Sequence, residues 1–196
     1  MNFQQLWAPW RIGYITGSDK LASPSQPARQ LAWRAGADQS CFLCRAVADA
    51  APRHTDQTEI DRQNLLVLRS PLAIAVLNRF PYNNGHLLVA PVRHEARLDQ
   101  LTDDEHLELM RQVARLTGTL QKLMQPEGFN IGLNLGRVAG AGLPGHVHWH
   151  IVPRWNGDTN FMPVLAGTNV IPQSLDALWE LLYDALRKNL NREIGI

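Results

Sequence analysis

Three histidines alternate with apolar residues in Gly145-His146-Val147-His148-Trp149-His150-Ile151-Val152-Pro153. Side chains alternate faces along an extended chain. His146, His148 and His150 therefore share one side, and Val147, Trp149 and Ile151 point into a core on the other. Imidazole can serve as a metal ligand, a general base or a nucleophile. Packing alone does not explain three of them in a row. As a nucleophile on phosphorus, imidazole divides one hard displacement into two easier ones through a nitrogen–phosphorus bond. That role needs a lone pair on the attacking nitrogen, with the other nitrogen's hydrogen bond fixing the tautomer. The middle residue, His148, is the expected nucleophile, in a pocket open to its substrate, with His150 near phosphate oxygens or the leaving oxygen. The competing reading is one metal held by all three. Second neighbours lie about 6.5–7 Å apart along a strand, an awkward fit for three ligands on one ion.

Two further patterns bear on chemistry. The glycine-rich stretch from Gly136 to Gly145 feeds directly into the histidines and offers backbone N–H groups to phosphate. Arg137, Arg154 and Lys122 are candidate phosphate contacts. Cys41-Phe42-Leu43-Cys44 has the spacing of one half of a zinc site, whose other half must come from elsewhere. His54 and His106 are weaker candidates for that half, and two reduced cysteines packed in a core are the alternative. No βαβ pattern surrounds the pair, which argues against a thioredoxin-like redox site, and no P-loop pattern is present.

The elements that must hold these residues are legible from residue 58 onward. Asn64 to Arg69 and Leu72 to Leu77, broken by Ser70-Pro71, read as a hairpin. Pro81-Tyr82-Asn83-Asn84-Gly85 is a turn, followed by a strand from His86 to Ala90. Thr102 and Glu105 form a capping box. Leu109, Val113, Leu116, Leu120 and Leu123 then recur at helical steps, and the helix is expected to stop near Pro126. Phe129 to Leu135 and His146 to Pro153 complete five strands, and a last helix starts near Ser174. The fold class is thus α+β with a mostly antiparallel sheet, with the direction of the fourth strand open. Residues 1–40 read as an irregular arm; Trp7, Trp10 and Trp33 within it are expected to pack on the body or a second subunit. Residues 41–165 form the expected main domain and 166–196 a helical tail.

The 196-residue chain has 45% hydrophobic residues, enough for one core. Its net charge of +1 does not indicate a nucleic-acid surface, while a small anionic substrate needs only a local site. The start, MNFQQLWAPW, lacks an export signal, and no apolar run is long enough to span a membrane. A reducing cytoplasm is expected, with no structural disulfide.

The run His146-Val147-His148-Trp149-His150-Ile151-Val152 resembles the histidine triad (HIT) motif, three histidines each followed by apolar residues. The resemblance extends from about Cys41 to Trp155. It implies a HIT-like, dimeric fold and an enzyme that attacks the α-phosphate of a nucleotide. It implies that His148 forms the nucleotidyl-histidine and that His146 and His150 flank it. By the same resemblance Asn78 lies near the ribose, His86 supports the nucleotide site, and Asn134 supplies a phosphate-side amide. Leu143 stands where many members carry Ser or Thr, so Gly136, Gly142 and Gly145 are expected to meet phosphate through their backbone. Leu6-Trp7-Ala8-Pro9-Trp10-Arg11, Tyr14-Ile15 and the tail Pro153-Arg154-Trp155-Asn156-Gly157-Asp158-Thr159-Asn160-Phe161 are similar to bacterial members described as diadenosine tetraphosphate phosphorylases. Phosphorolysis to ADP and ATP is the implied reaction, with hydrolysis to AMP, or nucleotide binding without catalysis, as the alternatives. In zinc-containing members the cysteine pair is completed by two histidines, at positions matching His94 and His146. The resemblance therefore implies a structural Cys41, Cys44, His94 and His146 zinc site and a homodimer.

Overall fold

The computed structural model describes residues 31–50, 56–159 and 171–194. Most of the expected arm, including Trp7, Trp10 and Tyr14, lies outside these residues, as do His54, Asn160 and Phe161.

Five strands form one antiparallel sheet. They are β3 (Leu66–Arg69), β4 (Ala73–Leu77), β5 (Leu87–Pro91), β6 (Gly128–Leu133) and β7 (Trp149–Arg154), in the order β3-β4-β5-β7-β6. A separate two-stranded pair joins β1 (Leu31–Ala32) with β2 (Asp49–Ala50). The helices are α1 (Phe42–Val47), α2 (Gln57–Gln63), α3 (Asp103–Met124) and α4 (Leu175–Ile194). The direction that the sequence left open is settled: β6 runs antiparallel to β7 and is an edge strand, with β7 inserted between it and β5.

Strand sequences such as AIAVL and LLVAP are apolar without a break because both sheet faces are covered. Period-two alternation divides them. Leu65, Val67, Ala73, Ala75, Leu77, Leu87, Val89 and Ile151 pack with Leu109, Val113, Leu116 and Leu120 of α3 and with Leu178, Leu182 and Leu186 of α4. Leu66, Ile74, Val76, Leu88 and Ala90 pack on the other side against Cys41 and α1.

The long helix begins as its capping box requires. Thr102 Oγ1 accepts from Glu105 N at 3.2 Å, and Glu105 Oε2 accepts from Thr102 N at 2.8 Å. It ends at Gln125, in the left-handed conformation just before Pro126. Helices α1 and α2 have no counterpart in the sequence reading. Each is shorter than two helical turns or barely reaches them, too short to display a period. The histidine strand differs too. Its ladder starts at Trp149 rather than His146. Beyond Pro91 the chain leaves the sheet, and Val147 N instead donates to Glu95 O at 2.6 Å.

Candidate active site and metal centre

The first question is whether the three histidines share a face. Val147 and Ile151 belong to the α3 core and Trp149 packs against it, so His148 and His150, which alternate with them, face the other way. His150 pairs in register with Leu88, a residue of the α1 side. His146 lies against the cysteines on that same side. The expected alternation therefore holds, although the ladder covers only part of it.

The His146 and His148 rings are oriented by backbone carbonyls, and each orientation dictates a tautomer. A neutral imidazole has one N–H donor and one acceptor nitrogen. His146 Nε2 lies 2.9 Å from Pro91 O, so Nε2 carries the proton and Nδ1 keeps its lone pair. His148 Nδ1 lies 2.8 Å from His146 O, so the proton is on Nδ1 and the lone pair is on Nε2. Among the described residues no group bonds that Nε2. Burial lowers the His148 pKa below the usual histidine value, which favours the neutral, nucleophilic form. The ring is more enclosed than the expected open pocket suggests, at 6% exposure.

His150 is reached through His86. Tyr82 N donates to His86 Nδ1 at 3.1 Å, and Asn78 Nδ2 lies 3.2 Å from the same atom. His86 Nδ1 is thus an acceptor and its proton sits on Nε2. That proton is donated to His150 Nδ1, 2.9 Å away. His150 consequently carries its own proton on Nε2. The Tyr82 ring stacks on His86 with centroids 4.6 Å apart, and lies 5.8 Å from His150. The His148 and His150 rings are 5.0 Å apart. A nitrogen lone pair and a ring N–H donor therefore sit on adjacent rings, the pairing that nucleophilic attack with leaving-group protonation requires.

The turn at 81–85 holds His86 in place. Gly85 has φ +78°, and a Cβ there would lie 3.0 Å from Met124 Sδ and 3.1 Å from Pro153 Cγ. Glycine is the residue that meets both demands.

His146 takes part in a second cluster. Cys41, Cys44, His94 and His146 place their donor atoms within 4.8 Å of one another. Cys41 Sγ and Cys44 Sγ lie 3.4 and 3.8 Å from His146 Nδ1, and Cys44 Sγ lies 3.2 Å from His94 Nδ1. Ligands on a tetrahedral zinc have sulfur and nitrogen about 3.5 Å apart, from Zn–S of about 2.3 Å and Zn–N of about 2.05 Å. The donor set fits a divalent cation in kind and spacing. Burial pushes the Cys41 thiol up to about 12 and holds His146 down at about 4 when no cation is present. Two elements support this cluster. Arg69 bonds Asp61 at 2.6 Å and the Ala46 carbonyl at 2.9 Å, closing the end of α1. Arg93, next to His94, bonds Glu105 at the start of α3.

Other expected residues are distributed less tightly. Asn78 uses its amide within the turn, accepting from Phe80 N at 3.0 Å and meeting His86. Asn134, Gly136 and Gly142 lie on the loop between β6 and His146. Of the glycines there, Gly145 approaches an imidazole: a Cβ on it would be 3.6 Å from His94 Nε2, while one on Gly136 meets nothing within 4 Å. Arg154 is engaged by Asp158 and Asn130. His106 is not part of the metal cluster. Sequence reasoning missed Tyr82, Asn83 and Asp158. The first two were read only as turn formers, and Asp158 only as part of a resembling tail.

Comparison with known proteins identifies relatives of the chain. The family model of the HIT domain matches residues 57–157. The AP-4-A phosphorylase of Mycobacterium tuberculosis is 38% identical over 180 residues, covering 89% of this chain and 80% of that protein. The adenosine 5'-monophosphoramidase hnt1 of Schizosaccharomyces pombe is 28% identical over 141 residues, 72% of this chain and 94% of its own. Among solved structures, a hypothetical histidine triad nucleotide-binding protein from Sulfolobus tokodaii has a TM-score of 0.55 at 26% identity, covering 67% of this chain and 88% of that one.

Proposed function

The chain belongs to the HIT domain family, and from that premise we propose that it is a nucleotidyl-transferring enzyme acting on dinucleoside polyphosphates through His148. The observation that carries this is the hydrogen bond from His148 Nδ1 to His146 O, which leaves the Nε2 lone pair for phosphorus. In the first half-reaction Nε2 attacks the α-phosphorus of diadenosine tetraphosphate. The bond to the bridging oxygen breaks and ATP leaves, taking the Nε2 proton of His150 where protonation is needed. In the second half-reaction inorganic phosphate attacks the adenylyl-histidine, and ADP is released with the His148 lone pair restored. The name and the long match of the mycobacterial relative support phosphate as the acceptor. The phosphoramidase relative favours a second reading, in which water is the acceptor and AMP the product.

Incubation with diadenosine tetraphosphate separates the two. ATP plus ADP formed only in the presence of phosphate supports phosphorolysis; ATP plus AMP without phosphate supports hydrolysis. His148→Asn abolishes both, and undiminished turnover by that variant overturns the assignment. Nucleotide binding with no turnover by the wild type leaves a binding module instead. The roles of Asn78, His86, Asn134, Gly136, Gly142 and Gly145 in holding nucleotide belong to the same proposal.

Cys41, Cys44, His94 and His146 are proposed to hold zinc. When bound, the ion would neutralise two thiolates and cross-link α1 to the histidine segment; all four protein donors are used, which suits a structural site. A second copy is proposed to pair along the β6 edge, where Ile131 and Leu135 are exposed. A cytoplasmic setting is proposed as well, and the free thiols of Cys41 and Cys44 are compatible with it. Among the described residues no helix is long and apolar enough to cross a membrane.

A further inference from the structure

The segment after the third histidine contains a carboxylate to which the reaction assigns no task. The Asp158 side chain is 8% exposed although it lies in a turn beyond β7. Its oxygens accept from Arg154 Nε at 2.6 Å and Nη2 at 3.0 Å, from Trp155 N at 3.2 Å, and from Asn83 Nδ2 at 2.8 Å. The first three donors belong to its own turn and suffice to form it. The fourth comes from 75 residues away.

Asn83 is a junction. Its Nδ2 also donates to Pro153 O at 3.1 Å, its Oδ1 accepts from Asn84 N at 2.9 Å, and its carbonyl accepts from His86 N at 3.3 Å. Its neighbour Tyr82 donates the N–H that makes His86 Nδ1 an acceptor. The connection therefore runs from Asp158 through Asn83 to the turn, from the turn to His86, and from His86 Nε2 to His150 Nδ1.

The polarity of that chain is reversible in principle. If the turn let go of both the Tyr82 N–H and the Asn78 amide that face His86 Nδ1, His86 could carry its proton on Nδ1 and present Nε2 as an acceptor. His150 would then donate from Nδ1, and its Nε2 would hold a lone pair where the leaving group needs a proton. Such a flip requires no large movement, only release of the turn.

We infer that Asp158 is a positioning residue for the proton of His150: by clasping Asn83 it holds the turn that fixes the polarity of the His86–His150 pair. The inference rests on the assignment of His148 as nucleophile and His150 as proton donor. It gives the tail Arg154-Trp155-Asn156-Gly157-Asp158 a part in the chemistry without contact with substrate. Arg154 keeps the Asp158 carboxyl well below the usual range, at about 2, so the clasp stays charged at any working pH.

The test compares Asp158→Asn and Asn83→Ala, which cut the clasp from opposite ends, with the wild type. Two substrates are used: adenosine 5'-phosphoramidate, whose amine must be protonated to leave, and adenosine 5'-(4-nitrophenyl phosphate), whose phenolate leaves unaided. The expected fall in kcat is about 30–100-fold on the amide, within the range of a lost general acid, and less than about 3-fold on the aryl ester. Equal losses on the two substrates, or none, would overturn the inference. Long-range proton–nitrogen NMR of the imidazoles reads the polarity without turnover. The wild type is expected to show Nε2–H tautomers at His86 and His150, and the variants a mixture or the reverse. Wild-type ring spectra in both variants would sink the inference whatever the rates. Turnover that survives in His148→Asn, alongside altered ring spectra in the clasp variants, would instead discard the nucleophile and leave the clasp standing.

Discussion

The rings at this site differ in job because different backbone atoms hold them. Pro91 O, His146 O and Tyr82 N each bond one imidazole, and those three bonds decide which nitrogen carries a proton. Burial keeps His148 neutral. Activity is therefore expected to hold steady through neutral pH and to fall only below the ordinary histidine range; a pH profile of kcat/KM with its acid limb above that range would contradict this. The Tyr82 ring makes its own prediction. Stacking of aromatic rings contributes about 0.5–1.5 kcal/mol beyond burial, so Tyr82→Leu is expected to reduce kcat by roughly 3–10-fold. Tyr82→Phe keeps the ring and is expected to remain near the wild type; steady-state kinetics on both variants checks the pair. The shared side of the three imidazoles was legible in the sequence from period-two alternation, and the proposed nucleophile is the middle one. The tautomers were not, since they depend on carbonyls that only the fold brings near: Pro91 stands 55 positions from the ring it serves.

Long or well-signalled elements were legible, and short ones were not. Helix α3 announces itself by its capping box and leucine spacing, and the five strands fall within a few residues of expectation. Helix α2 contains a single aliphatic residue, Ile60, and is started by Asp56, whose carboxylate accepts from Thr58 N at 2.9 Å; no period can be read from it. The strand ends shifted where side chains replaced ladder bonds, as when His146 takes the Pro91 carbonyl. Two substitutions test the packing between elements. Gly85→Ala adds a methyl against Met124 and Pro153 at a positive φ, and is expected to destabilise by about 1–3 kcal/mol. Trp179 Nε1 donates to Leu66 O at 2.8 Å across the outer side of β3. Trp179→Phe leaves that carbonyl unpaired and is expected to lower stability by about 1–3 kcal/mol. Urea titration reads both; a change in either below about 0.5 kcal/mol would place it among neutral surface substitutions.

For the whole molecule, two linkages to solution conditions follow. Asp158 is held at about 2 against an ordinary value of 3.8. A depressed carboxyl adds stability above its unfolded pKa and loses it as pH falls through the folded one. The pairing of Asp158 with Arg154 is thus expected to add to stability near neutral pH. The stability difference between wild type and Asp158→Asn should vanish between pH 4 and pH 2. The second linkage is to metal. Chelation is expected to lower Tm by about 5–10 °C and to free two thiols, as counted by a thiol reagent before and after treatment. An unchanged melting curve in a protein shown to lose its ion would deny the cluster a structural role.

The two margins of the sheet are not alike. At β3 the carbonyl of Leu66 is capped by an indole from α4, whereas β6 has no strand on its outer side among the described residues. Strand-by-strand growth then has one starting point per copy, and joining two copies uses up both. Self-association of this kind terminates by construction, so a dilution series should level off at twice 22.0 kDa rather than climb with concentration.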